Sequence, residues 1–178
     1  VQNHLIAVTD KPTLLMLAGL PGTGKSTLAA ALARRLGWPV LDKDLFNAVL
    51  LEAHLAQAQA GLLAYELGLT LAHALVVQHR QSLILDTAGR QPFILERVRT
   101  IAHAAGGQLK VVRCVAPIAV RNARLRTRIA GPSQWTEDQT TRDQETAWYA
   151  HLPTDTLIVH SERPVEELVA FMLPYVLP

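Results

Sequence analysis

The sequence has a single cysteine, Cys114, so it can form neither an internal disulfide nor a cysteine-cluster metal site. Aromatic residues make up only 5% of it, and no apolar run of 18 or more residues goes without a polar interruption, so no membrane-crossing helix is expected. The first residues, Val1-Gln-Asn-His4, carry no basic n-region of a signal peptide and no initiator methionine. Together these absences lead to the expectation of a reducing, cytoplasmic setting. The seven histidines fall into no H-E-x-x-H or comparable spacing, which argues against a histidine metal set. Acidic residues are missing from one long stretch. None lies between Glu96 and Glu137, where Arg97, Arg99, Lys110, Arg113, Arg121, Arg124, Arg126 and Arg128 fall. A block of one sign suits a polyanion, the alternative being a solvated helix face. The total charge is only +2, so the chain as a whole is not basic.

Glycine is concentrated where it matters. Gly19-Leu-Pro-Gly-Thr-Gly-Lys25-Ser26, followed by Thr27, fills every fixed position of the phosphate-binding loop G-x-x-x-x-G-K-[ST]. The run before it, Thr13–Ala18, is short, apolar and free of breakers, as a buried parallel strand would be. The run after it, Leu28–Leu36, is a strong helix former. In that setting the loop amides and the helix N-terminus make a cradle for phosphate oxygens. The expected phosphate-binding set is Gly19, Pro21, Gly22, Thr23, Gly24, Lys25, Ser26 and Thr27. Lys25 would reach the β- and γ-phosphates, and the Ser26 hydroxyl would ligate Mg²⁺. The chain is therefore expected to bind a nucleoside triphosphate.

At 178 residues the chain reads as one domain with no repeats or low-complexity linker. Strand candidates are Thr13–Ala18, Pro39–Asp42, Ser82–Asp86, Lys110–Val115 and Asp155–Val159. Helical stretches are Lys25–Leu36, Leu45–Ala56, Leu62–Gln81, Pro92–Ala105, Ile118–Arg128, Thr136–His151 and Val165–Leu173. Gly37 and Gly106-Gly107 punctuate two helix ends, and Thr136-Glu-Asp-Gln139 reads as a capping box. Such alternation implies an α/β fold with a parallel sheet covered on both faces. The ligand then belongs at the carboxyl ends of the strands.

That rule sorts the polar residues. Ser82-Leu-Ile-Leu-Asp86 is an apolar strand ending in a carboxylate, so Asp86 is expected at the metal with Ser26. Arg90 follows and is open to two readings, a contact to a substrate anion or a surface arginine. In Leu41-Asp42-Lys43-Asp44-Leu45, Asp44 is the candidate base for an acceptor hydroxyl, with an N-cap role compatible with it. Lys43 is expected in solvent. Arg121, Arg124 and Arg128 share one helical sector with no carboxylate in helical reach, and a Gly-Pro segment follows. This pattern suits a lid at about residues 121–145 whose arginines, Arg124 and Arg128 above all, close over a transferring phosphoryl group. The Leu50–Val77 stretch reads as mostly core, with Tyr65 and Glu66 as candidate acceptor contacts. Trp135 and Trp148 could stack on a base, packing being preferred, and His160 could edge the base.

These segments, G-L-P-G-T-G-K-S-T, L-D-K-D-L-F, the Y-E-L-G-L-T-L-A-H-A-L helix leading into S-L-I-L-D-T, R-L-R-T-R and L-I-V-H-S-E-R-P-V-E-E-L, resemble the small P-loop kinases often labelled AAA domains. These are relatives of zeta toxins, polynucleotide 5′-kinases and chloramphenicol phosphotransferase. The resemblance implies a three-layer P-loop NTPase fold with a five-stranded parallel sheet of order 2-3-1-4-5. It also implies ATP with Mg²⁺, and phosphoryl transfer to a hydroxyl, or a phosphate, of an unidentified small-molecule or nucleotide-type acceptor. Polynucleotide kinases carry an arginine three residues after the strand-2 aspartate. Asn47 stands there in this chain, so a nucleic acid end is not the expected acceptor, though it stays open. Two other readings remain. Asp86-Thr-Ala-Gly89 resembles a GTPase switch segment, but no N-K-x-D motif occurs and Arg90 replaces the water-positioning glutamine. An ATP-binding or ATP-hydrolysing module without acceptor phosphorylation is the other.

Overall fold

A computed structural model describes residues 11–127, 137 and 139–177 of the chain. Five strands form one parallel sheet: β1 (Thr13–Ala18), β2 (Val40–Asp42), β3 (Leu83–Asp86), β4 (Gln108–Val115) and β5 (Leu157–His160). Their order is β2-β3-β1-β4-β5, the doubly wound P-loop arrangement. The helices are α1 (Lys25–Leu36), α2 (Lys43–Glu52), α3 (Gln57–His73), α4 (Pro92–Ala104), α5 (Ile118–Thr127), α6 (Arg142–Tyr149) and α7 (Val165–Val176).

The three layers follow from the pleat of the central strand. All of β1 is buried, and successive side chains alternate between faces. Leu14, Met16 and Ala18 join the core under α3 and α4, with Leu69, Ala72, Ile94, Val98 and Tyr149. Leu15 and Leu17 join the opposite core under α1 and α7, with Leu28, Leu32, Leu168 and Met172. A strand buried on both faces must be apolar at every position, which is why β1 reads as a continuous run. Truncating Leu15 to Ala would cost about 2–5 kcal/mol.

Several element bounds differ from the sequence expectation for identifiable reasons. The extended chain stops at Asp42, where pairing with β3 ends at Asp42 and Asp86, so α2 begins at Lys43 rather than Leu45. Its N-cap is Asp42, whose Oδ1 accepts the Asp44 N–H at 2.8 Å, so Asp44 is not the cap. Helix α3 starts at Gln57, not Leu62, and runs into π-helical turns over Ala74–Gln78, where the His79 N–H reaches the Ala74 carbonyl at 3.1 Å. This stretch is less of a core element than expected. It buries Ala60, Ala64, Gly68, Leu69 and Ala72, while Leu62, Leu63, Leu67 and Leu71 are exposed, because only one stripe of a helix can face the sheet. Among the described residues, the helical stretch Gln57–Gln78 is the one long and apolar enough to cross a membrane by length and composition. In this fold its buried stripe packs against the sheet core.

The capping box before α6 lies at Thr141 and Gln144, with the Thr141 hydroxyl accepting from the Gln144 N–H at 3.2 Å and the Gln144 side chain accepting from the Thr141 N–H at 3.0 Å. Gln139, Thr140 and Thr141 are not helical, so the expected helix start at Thr136 is displaced. Thr136 itself, Arg128, Trp135 and much of the expected lid lie outside the described residues.

Candidate active site

The loop between β1 and α1 crosses the carboxyl end of the sheet. Its path is set by close approaches. Gly19, at φ 142°, donates its N–H to the Ala88 carbonyl at 3.2 Å, and a Cβ on it would meet the Cys114 carbonyl oxygen at 2.4 Å. No larger residue fits there. Thr23 is fully buried behind the loop, its hydroxyl and N–H both directed to the Leu20 carbonyl, at 2.7 and 3.3 Å. It braces the loop from behind, unlike the other predicted loop residues, which line the cavity. Gly24 precedes α1 as an N-cap without a side-chain acceptor, so the amides of the first turn have no protein partner from the cap. Together with the positive end of the helix they favour an anion.

In front of this loop lies a cavity of about 620 Å³ lined by Gly19, Pro21, Gly22, Gly24, Lys25, Ser26 and Thr27 on the loop side. Its other wall comes from Asp42, Lys43 and Asp44 after β2, from Tyr65 on α3, and from Asp86, Thr87, Ala88 and Arg90 after β3, with Arg124 at the rim. The Lys25 ammonium donates to the Leu20 carbonyl at 3.0 Å. Asp86 ends β3 and is buried. Burial pushes its carboxyl up to about 6, against the opposing pull of the Lys25 charge and of a hydrogen bond from the Ser26 hydroxyl. Its Oδ2 is buried without a hydrogen-bond partner. A carboxylate oxygen left bare beside a serine hydroxyl is the donor set a hard cation accepts, so Ser26 and Asp86 fit Mg²⁺.

Asp42 and Asp44 both line the cavity although the strand ends between them. Burial raises the pKa of Asp42, partly offset by the Asp44 N–H it accepts. Asp44 is nearly half exposed, at 45%, and pairs with Lys43 at 2.9 Å. Lys43 does not stand in solvent as expected. Its side chain is 18% exposed and its ammonium sits 5.4 Å from the centre of the Tyr65 ring. Tyr65 packs edge-on against Phe93, at 84° and 5.9 Å. Glu66 points elsewhere, to Arg97 on the surface at 3.3 Å, and Asn47 is buried outside the cavity lining.

The two described arginines of the expected lid sector are both committed to the loop region. Arg121 is buried at 2% exposure, and its backbone packs against Gly22. Arg124 donates to the Gly22 carbonyl at 3.2 Å, to the Ser161 hydroxyl at 3.0 Å and to the Ser161 carbonyl at 2.6 Å. This places Arg124 between the phosphate loop and the turn after β5, on the side away from Asp44 and Tyr65. Ser161 follows His160 in a segment quoted for the resemblance, but its contact with Arg124 is found only by folding.

A family profile described as an AAA domain matches residues 14–152, the span that carries the loop, both carboxylate strand ends and α6. The chain belongs to this AAA domain family. No curated protein matches the sequence. Among solved structures, a candidate kinase from Chloroflexus aurantiacus J-10-fl is 25% identical, with a TM-score of 0.72 over 94% of this chain and 100% of that chain. The Mycobacterium tuberculosis APS kinase, in complex with AMPPNP and APS, is 20% identical, with a TM-score of 0.62 over 92% and 96%. Shikimate kinase from Bacteroides thetaiotaomicron is also 20% identical, with a TM-score of 0.58 over 92% and 96%. The AAA domain described here has the fold of P-loop kinases.

Proposed function

We propose that this AAA domain is an ATP-dependent kinase that transfers the γ-phosphoryl group to a hydroxyl of a small acceptor. The observation that carries the reading is the placement of the Asp44 carboxylate in the same cavity as the phosphate loop, on a wall the loop does not use. A module that only binds nucleotide has no need of it. In this scheme the loop amides and Lys25 hold the phosphates, and Ser26 with Asp86 holds Mg²⁺, whose positive charge would offset that of the phosphate oxygens. Asp42 caps α2 and so fixes the Asp44 backbone through its N–H, while Lys43 holds one oxygen of Asp44. Asp44 accepts the proton of the acceptor hydroxyl as the new P–O bond forms and the bond to the β,γ-bridging oxygen breaks, ADP leaving. Arg124 keeps the Gly22 carbonyl and the turn at Ser161 in register, which keeps the loop shaped for phosphate.

Phosphoryl transfer is positioning plus charge stabilisation, so each part is separable by assay. ADP release is measured with Mg-ATP alone and with a panel of hydroxyl compounds. Acceptor-stimulated release supports the kinase. Tight nucleotide binding with no transfer to any acceptor would sink it.

A further inference from the structure

The hairpin of α2 and α3, which supplies Lys43, Asp44 and Tyr65 to the cavity, has an outer face rich in leucine. Among the described residues, six large apolar side chains on these two helices stay exposed: Leu45, Val49, Leu62, Leu63, Leu67 and Leu71, at 41–66%. The other exposed ones are scattered over α5, β5, α7 and the residue after it. The link between Glu52 and Gln57 is short, so the two helices run antiparallel. They meet where Phe46 lies on Gly68, its ring 3.5 Å from the place a Cβ would take. Leu45 and Val49 stand one residue before and three after Phe46, and Leu67 and Leu71 stand at the same offsets from Gly68. In an antiparallel pair, equal offsets from the crossing fall on the same side. These four side chains therefore border one seam, and Leu63 extends its α3 edge by a further turn.

Three properties select what covers this face. The first is size: at their exposures these five side chains offer roughly 500 Å² of apolar surface, toward the upper end of what a monomer leaves bare. Two copies would bury about 1,000 Å² through them alone, and Leu62 and Ala56 beside them carry that toward the roughly 1,200–2,000 Å² of a stable interface. The second is charge. Helix α3 contains no lysine or arginine, so it lacks the cationic face that seats a helix on an anionic lipid surface. The charges on the hairpin are matched within the chain, Lys43 with Asp44 and Glu66 with Arg97, and Glu52 lies at the far end of α2. A surface without opposed like charges can meet its own image under a two-fold axis without repulsion. The third is pattern. Leu63, Leu67 and Leu71 form an i, i+4, i+8 ridge, and such ridges interlock when two copies of one helix cross at about 50°.

We propose that the α2–α3 face is the interface of a symmetric dimer of this chain, with Leu67 on the two-fold axis and Leu63 of each copy beside Leu71 of the other. This goes beyond the kinase reading and does not depend on it.

Sedimentation equilibrium over about 1–100 μM protein tests it, because it reads mass and not turnover. Wild type gives twice the 19.5 kDa of the chain. Leu67→Glu sets two carboxylates against each other at the axis and weakens association by about 100-fold or more. In a single copy that position is 44% exposed, so the new carboxylate stays in water and the variant folds, which far-UV circular dichroism checks. Phe171→Glu, at a position 46% exposed on α7, leaves the dimer intact. Leu67→Cys is joined into a covalent dimer by a short bismaleimide, whereas wild type is not, because its single cysteine, Cys114, is buried. A monomeric wild type overturns the proposal, as does a dimer equally tight in Leu67→Glu and wild type. Sedimentation with vesicles of phosphatidylcholine, with and without phosphatidylserine, covers the other occupant. Binding to them by a monomer, lost in Leu67→Glu, overturns the dimer and gives the face to a membrane. If Leu67→Glu unfolds, Leu67→Cys decides: a cross-linked dimer supports the proposal and its absence overturns it.

Discussion

The phosphate wall of the cavity is made by consecutive residues between β1 and α1, whereas the wall that the proposed kinase reading gives to the acceptor is assembled from separate pieces of chain: Asp42–Asp44, Tyr65 and the turn from Asp86 to Arg90, backed by Trp148. The first wall is one continuous segment of chain, steadied from outside by the Ala88 carbonyl and the Arg124 side chain. The second is held by side chains meeting across the fold, as in Lys43 with Tyr65 and Arg90 with Trp148. One wall can be inherited as a motif. The other can change residue by residue while the fold stays the same, which suits a part of the protein that chooses an acceptor.

If the two walls have separate duties, the largest effects should divide between them. Asp44→Ala should lower transfer by about 10²–10⁴-fold while nucleotide affinity, read by calorimetry, stays near wild type. Lys25→Ala should lower turnover by about 10²–10³-fold and weaken nucleotide binding as well. An Asp44→Ala enzyme that turned over normally would reduce that carboxylate to an ion-pair partner of Lys43 and erase the distinction.

Asp86 sharpens the comparison because it stands where the walls meet. Its carboxyl titrates near 6, above its unfolded value of 3.8, so folding favours its protonated form. The resulting stability is fully present below about pH 4 and is lost as pH rises through about 6. In EDTA without nucleotide, Asp86→Asn should flatten that slope and stabilise the protein at pH 7 by roughly 2–3 kcal/mol in denaturant unfolding. The same variant should lose the magnesium dependence of ATP binding. An unchanged pH slope in the variant would assign the titration to another group.

Smaller effects test the joint between the walls. Gly89→Ala should cost roughly 1–3 kcal/mol of stability, because it sets a side chain at positive φ against Ala18. Tyr149→Phe should cost about 0.5–1.5 kcal/mol, the value of its hydrogen bond to Ala88, while keeping the ring that stacks with Arg113. Both are read as shifts in unfolding midpoint.

The same division explains what the chain's order of residues could tell. Strand β1 and helix α1 were legible to the residue, since an apolar run, a fixed-spacing glycine loop and a helix former leave one solution. The cavity position follows from the same pattern, whereas the sheet order came with the resemblance to the small P-loop kinases. Asp44 reads as the cap of α2, yet the cap is Asp42, because β2 stops pairing with β3 there and the helix starts one residue later. Before α6 the sequence reading places the box at Thr136 with Gln139, and the structure has it at Thr141 with Gln144. Tertiary anchors settle the start of α6, because Glu145 must reach Arg113 at 2.8 Å and Tyr149 must reach Ala88. Lys43 and Ser161 lie in segments that resemble the family but had no role read for them as site residues, and their contacts come from which neighbours the fold brings to them.

The Ala88 carbonyl takes one donor from the phosphate loop and one from the last residue of α6, so both of its lone pairs are occupied by protein. Any tilt of α6 that withdraws the Tyr149 hydroxyl alters the acceptor that the Gly19 amide depends on. Deuterium uptake at that single amide would therefore gauge the seating of a helix more than a hundred positions further along the chain.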